Sequence, residues 1–76
     1  VITLYTKDHC QPCRATKRKL TDLGVEFVEV NVEHDPEARQ RLIDAGFMES
    51  PVVWPEAGDP WSGFRPDLLA TLTPKE

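Results

Sequence analysis

Nowhere in this 76-residue sequence do apolar residues run together for more than a few positions. A transmembrane helix needs about 20, so none is expected. Cysteine is scarce too. There are two, where a disulfide-stapled secreted scaffold of this size carries about four to eight. In a reducing compartment such a pair is redox-active or metal-binding. Positive charge is outnumbered, with nine Lys and Arg against thirteen Asp and Glu, a net charge of −4. That argues against a nucleic-acid partner. Repeats, low-complexity tracts and linkers are missing, and with the strand-like Val1–Tyr5 first no basic-plus-apolar leader is expected. The expectation is one compact domain spanning residues 1–76, monomeric and cytoplasmic, with no membrane partner. A chain this short has no room for a large internal substrate cavity, so its chemistry belongs on the surface.

What is present reads as a globular α/β domain, with 39% apolar and 29% charged residues. Val1–Tyr5 alternates as a strand, and Thr6–His9 is a polar loop. A helix starts at Cys10, with Pro12 in the first turn, where its missing N–H costs nothing. Cys13, Thr16, Leu20 and Leu23 form its buried stripe, and Gly24 ends it in a left-handed cap. Val25–Val32 is a second strand, with Val28, Val30 and Val32 on one face. Asp35-Pro36-Glu37 opens a helix through Ala38, Leu42 and Ile43 that stops at Gly46. Pro51–Trp54 and Trp61–Phe64 are two further strands around a turn at 56–60. Pro66-Asp67 begins a last helix through Leu72, with Pro74 beyond it. The order β-α-β-α-β-β-α predicts a four-stranded mixed sheet flanked by three helices.

Within this βαβ context Cys10-Gln11-Pro12-Cys13 reads as a thioredoxin-like redox motif. Two intervening residues bring the sulfurs within bridging distance across one helical turn. Cys10 lies where unpaired backbone N–H groups and the helix dipole favour an anion. Its thiol pKa is expected to fall toward the range of about 3.5–7.5 seen at such sites. Cys10 is therefore the expected nucleophile. Cys13, on the core-facing stripe and more shielded, is expected to resolve the mixed disulfide. Lys7, His9 and Arg14 are near enough in sequence to support a thiolate, weakly through water. A zinc site would need His9 and His34 alongside the cysteines, and His9 is poorly placed beside Cys10. No metal is expected.

With CQPC (10–13), SPVV (50–53) and WSGFRPD (61–67) in this order and spacing, the chain resembles the NrdH-type redoxins over essentially all its length. These are glutaredoxin-sized members of the thioredoxin superfamily. The resemblance implies the thioredoxin fold, with Pro51 cis beside the cysteine pair. The Ser50 backbone then faces an extended peptide that binds as an added strand. It further implies no bound cofactor, with electrons coming from NADPH through thioredoxin reductase rather than from glutathione. The implied acceptor is the catalytic subunit of class Ib ribonucleotide reductase, whose flexible tail bears a cysteine pair. Trp61, Ser62, Gly63, Phe64 and Arg65 occupy the region where ordinary glutaredoxins hold a glycine-glycine-aspartate glutathione site. They read as a structural or reductase-recognition loop, in which Arg65 is either a structural hydrogen-bond donor or a substrate contact. The family more often has a Val-Gln pair where this chain has Gln11-Pro12, a pair that tunes reduction potential.

Charge is unevenly spread. Through residue 24, Lys7, Arg14, Lys17, Arg18 and Lys19 face only Asp8 and Asp22, a balance of +3 that leaves −7 for the rest. Arg14, Lys17 and Arg18 extend along one helix from Cys10. Arg14 and Lys17, with Lys7, Ser50 and Pro51, are the expected substrate contacts, and the basic face including Arg18 is expected to steer an acidic partner. Two rival functions stay open at this point. One is a general glutaredoxin using glutathione or another small thiol; the other is a small metal-binding or interaction module.

Overall fold

A computed structural model describes residues 2–56 and 58–72. Four strands, β1 (Ile2–Thr6), β2 (Phe27–Asn31), β3 (Val52–Trp54) and β4 (Trp61–Ser62), form one sheet in the order β2-β1-β3-β4. β2 runs parallel to β1, while β3 and β4 are antiparallel to their neighbours. The helices are α1 (Gln11–Asp22), α2 (Pro36–Asp44) and α3 (Pro66–Leu69), the last continued by a 3₁₀ turn over Ala70–Leu72. This is the expected order and mixed sheet.

Strand alternation divides the core into two layers. Ile2 and Leu4 of β1 and Val53 of β3 pack with Leu20 of α1, Val25 and Leu69 of α3. The intervening Tyr5 and Val52 face the opposite side and pack with Leu42 of α2. Helices thus cover both faces.

α1 and α2 end in the same way. Gly24 N–H bonds to Thr21 O and Val25 N–H to Leu20 O; Gly46 and Phe47 repeat this to Ile43 and Leu42. Both glycines have positive φ, +71° and +87°, as this C-terminal motif requires. Each motif also brings an apolar side chain back onto the helix, Val25 beside Leu20 and Phe47 beside Leu42. α2 starts where Asp35 Oδ1 accepts from Ala38 N–H at 3.1 Å.

Several boundaries differ from expectation. Val1 lies outside the described residues, as does Pro74, and Thr6 belongs to β1 because its carbonyl accepts from Val32 N–H at 2.9 Å. Val25 is a buried C-terminal cap contact rather than part of β2. Val30 and Val32 pack on the α2 side, but Val28 is exposed because β2 is the sheet edge. Ile43 is also exposed. β4 ends at Ser62, since Gly63 turns out of the strand with φ +84°.

Candidate active site

The parallel strands β1 and β2 end together, with Thr6 opposite Asn31. The Tyr5–Val52 pairing then sets Pro51 across from Thr6, and Gly63 N–H donates to Pro51 O at 2.8 Å. Thr6, Asn31, Pro51 and Gly63 therefore line one end of the sheet. The Lys7–His9 loop leaves that same end and delivers Cys10. In open α/β sheets this is where ligands bind.

Cys10 and Cys13 form a disulfide with their Cα atoms 5.2 Å apart. Cys10 is the N-cap of α1, in extended conformation, and its Sγ accepts from Cys13 N–H at 3.2 Å. A cysteine sulfur here takes the place that a serine or aspartate oxygen usually holds. The first-turn N–H groups and helix dipole thus point at the Cys10 sulfur. The expected difference in shielding is not seen: Cys10 is 5% exposed and Cys13 4%. The disulfide ties Cys10 to the core-facing Cys13, so both are buried, and the N-cap geometry alone tells them apart. His9, just before Cys10, takes a left-handed φ of +55°.

A cavity of about 200 Å³ opens beside the disulfide, walled by Cys10, Cys13, Lys7, Arg14, Lys17 and Glu29 among others. It brings together Lys7, Arg14 and Lys17 as sequence reasoning expected, but with an acid among them. Lys17 Nζ lies 3.1 Å from Glu29 Oε1, and the other carboxylate oxygen of Glu29 accepts from the Thr6 hydroxyl at 3.0 Å. Lys17 is consequently not a free cation. Arg14 and Arg18 make no ion pair among the described residues.

The loop before Cys10 is fastened to the turn after β2. Asp8 Oδ1 accepts from Asn31 Nδ2 at 2.9 Å, Asp8 N–H donates to Glu33 Oε1 at 3.2 Å, and His34 Nε2 lies 3.4 Å from Asp8 Oδ2. The Asn31 bond chiefly, with help from His34, holds the Asp8 carboxyl below its ordinary value. His34 thus pairs with Asp8 rather than with either cysteine. Glu29, Asn31 and Thr6 were missed as parts of this site; no spacing rule links residues 12 or 23 positions apart across a sheet.

The Ser50–Pro51 bond is cis. Pro51 is buried and Ser50 partly exposed. The WSGFRPD segment stands behind them. Trp61 packs against the core while Gly63 holds Pro51. Arg65 gives a two-pronged pair to Asp67, Nε to Oδ1 at 3.3 Å and Nη2 to Oδ2 at 3.1 Å. Phe64 is exposed.

A model of the glutaredoxin family matches residues 2–56. The glutaredoxin-like protein NrdH of Escherichia coli (strain K12) is 47% identical over 74 residues, covering 96% of this chain and 89% of its own length. The chain belongs to the glutaredoxin family, in its NrdH type. A second such redoxin, from Lactococcus lactis subsp. cremoris (strain MG1363), is 35% identical over 72 residues, covering 95% of this chain and 99% of its own. The solved structure of the E. coli NrdH-redoxin, a glutaredoxin-like protein with a thioredoxin-like activity profile, superimposes with a TM-score of 0.89 at 46% identity. It covers 99% of this chain and 97% of that one. The redoxin is a thiol–disulfide oxidoreductase on the thioredoxin fold, and Cys10–Cys13 is its redox-active disulfide. Among its described residues no helix is long and apolar enough to cross a membrane.

Proposed function

We propose that this redoxin carries two electrons from thioredoxin reductase to ribonucleotide reductase, with Cys10 as nucleophile and Cys13 as resolving thiol. In the reduced protein the Cys10 thiolate attacks one sulfur of the partner's disulfide. A mixed disulfide forms, and the partner's second sulfur leaves as a thiolate that takes up a proton. Cys13 then loses its proton and attacks the Cys10 sulfur. The bond to the partner breaks, the partner's first sulfur leaves and is protonated, and Cys10–Cys13 is left oxidised. The observation that carries these roles is the 3.2 Å bond from Cys13 N–H to Cys10 Sγ at the start of α1.

The choice of partners draws support from the NrdH-type relatives and from the thioredoxin-like profile of the E. coli one. Trp61-Ser62-Gly63 also stands where ordinary glutaredoxins hold a glycine-glycine-aspartate site for glutathione. The electrons reside on the two sulfurs, the ultimate donor is NADPH, and the redoxin works as a cytoplasmic monomer. The test is insulin disulfide reduction driven by NADPH with thioredoxin reductase, or by glutathione with its reductase. Turnover with the first alone is expected, and turnover only with glutathione refutes the choice of reductase. Cys10→Ser abolishes activity, whereas Cys13→Ser accumulates mixed disulfides.

A further inference from the structure

Two unlike surfaces lie at the end of the sheet that carries the Cys10–Cys13 disulfide. On one flank Arg14 and Arg18, one turn apart on α1, are exposed and unpaired among the described residues, because Lys17 alone is taken by Glu29. Arg14 also borders the cavity that the cysteines wall. On the other flank, a notch of about 140 Å³ begins at Ser50 and is lined by Ile43, Phe47 and Met48. Met48 is 84% exposed, unusual for a large apolar side chain. Among the described residues the charged groups in its walls are Arg39 and Glu49, of opposite sign.

We infer that the segment bearing the partner's disulfide sets carboxylates against Arg14 and Arg18 on one side of the attacked cysteine, and a large apolar side chain in the Ser50 notch on the other. This inference rests on the thiol–disulfide reading and names the substrate class it serves. Charge complementarity fixes the first half. The remainder of the chain is net acidic, so an acidic segment is drawn to the flank where Arg14 and Arg18, with Lys7 beside Cys10, make no ion pair among the described residues. Continuity fixes the second half, because Ser50 both lines the notch and adjoins the cis proline across from Thr6. The reach is short. Arg14 follows Cys10 by four positions, about 6 Å along the helix, which an extended peptide covers in about two residues at ~3.3 Å each. The carboxylate that meets Arg14 therefore falls within a few residues of the partner's cysteine.

The experiment compares disulfide-bonded peptides as substrates of the intact reduced redoxin. One set carries Glu near one side of the cysteine and Leu near the other, in both orders; a second replaces Glu by Lys, and a third replaces Leu by Asn. The neutral bis(2-hydroxyethyl) disulfide sets the baseline. For the better order, kcat/KM is expected to exceed that of the Lys peptide by about tenfold at low salt, a gap that closes near about 0.5 M salt. The Asn peptide is expected to lose about tenfold or more. In Arg14→Glu/Arg18→Glu the ratio of Glu to Lys peptide inverts, a comparison made within one variant and so independent of its overall activity. Equal rates for Glu and Lys peptides, or for Leu and Asn peptides, overturn the inference while leaving the redox reading intact. Failure to reduce the small disulfide refutes the redox reading itself. Concentration-dependent dimerisation abolished by Met48→Gln assigns the notch to a second copy and also overturns the inference.

Discussion

Gly63→Ala isolates the cost of the backbone turn that holds Pro51. Gly63 has φ +84°, and a Cβ built there meets no heavy atom within 4 Å. The penalty is thus conformational and not steric. An L-residue in the left-handed region costs about 1–2 kcal/mol. The stiffer unfolded chain of alanine returns about 0.4–1 kcal/mol, so a net loss of about 1 kcal/mol is expected. For a domain of this size that lowers Tm by about 4–8 °C. Asparagine enters the left-handed region more readily, so Gly63→Asn should lose less than Gly63→Ala. Urea unfolding of the three proteins in the oxidised state measures both differences. Gly46 offers an internal check, since its φ is +87° with the same open space and its turn lies in the α2 cap. Gly46→Ala should therefore cost a similar amount. An alanine at 63 that leaves stability unchanged, or an asparagine worse than alanine, refutes the conformational account of this turn.

Trp61 Nε1 is buried with no hydrogen-bond partner among the described residues, and an unmet buried donor costs about 1–3 kcal/mol. Trp61→Phe should therefore stay within about 1 kcal/mol of wild type by chemical denaturation, despite its lost packing; a loss above about 2 kcal/mol contradicts this. Asp35→Ala removes the side-chain cap at 3.1 Å from Ala38 N–H and should cost about 1 kcal/mol, with no loss if the cap is idle. The Asp8 carboxyl lies below its ordinary value of 3.8. Its contribution to stability is present above that unfolded value and disappears as pH falls through the lower folded one. Asn31→Ala removes the chief cause, so stability should fall less steeply with acid below about pH 4. An unchanged slope in acid titration would show that Asp8 is not held in this way.

Local chemistry made most of the fold legible. Asp35-Pro36 marked the start of α2 and Gly24 and Gly46 the two helix ends, because caps act within a few residues. Alternation likewise set Leu4 and Tyr5 on opposite faces of β1. What failed was whatever depends on neighbours far along the chain. Val28 shares a face with Val30 and Val32, yet it is exposed because β2 ends up outermost, and strand order is not written in the strand. The site divides in the same way. Cys10 and Cys13 were readable from their spacing at a helix start, and the cis Ser50–Pro51 bond agrees with what the family resemblance implied. Nothing local says that Glu29 reaches Lys17 or that Asn31 and His34 hold Asp8.

Those distant pairings decide which of the basic residues near the dithiol can meet a partner. Four candidate cations in sequence, Lys7, Arg14, Lys17 and Arg18, are not equivalent once β2 is laid against β1. The Leu4–Glu29 register and the period of two set Glu29 on the α1 side of the sheet, within 3.1 Å of Lys17. Both groups are partly exposed, so the pair adds little to stability. Its larger consequence is to withdraw Lys17 from the partner-facing charge and leave Lys7, Arg14 and Arg18. A guanidinium, unlike an ammonium, offers a planar fork to a carboxylate, so of the three left free Arg14 and Arg18 are the two suited to directional contacts. Glu29→Gln should accordingly release Lys17. If the sorting of charge is real, that variant reduces Glu-bearing disulfide peptides faster than wild type at low salt, and the gain vanishes when Lys17 is also replaced by Met. An identical low-salt rate for Glu29→Gln and wild type would mean that Lys17 was never withheld.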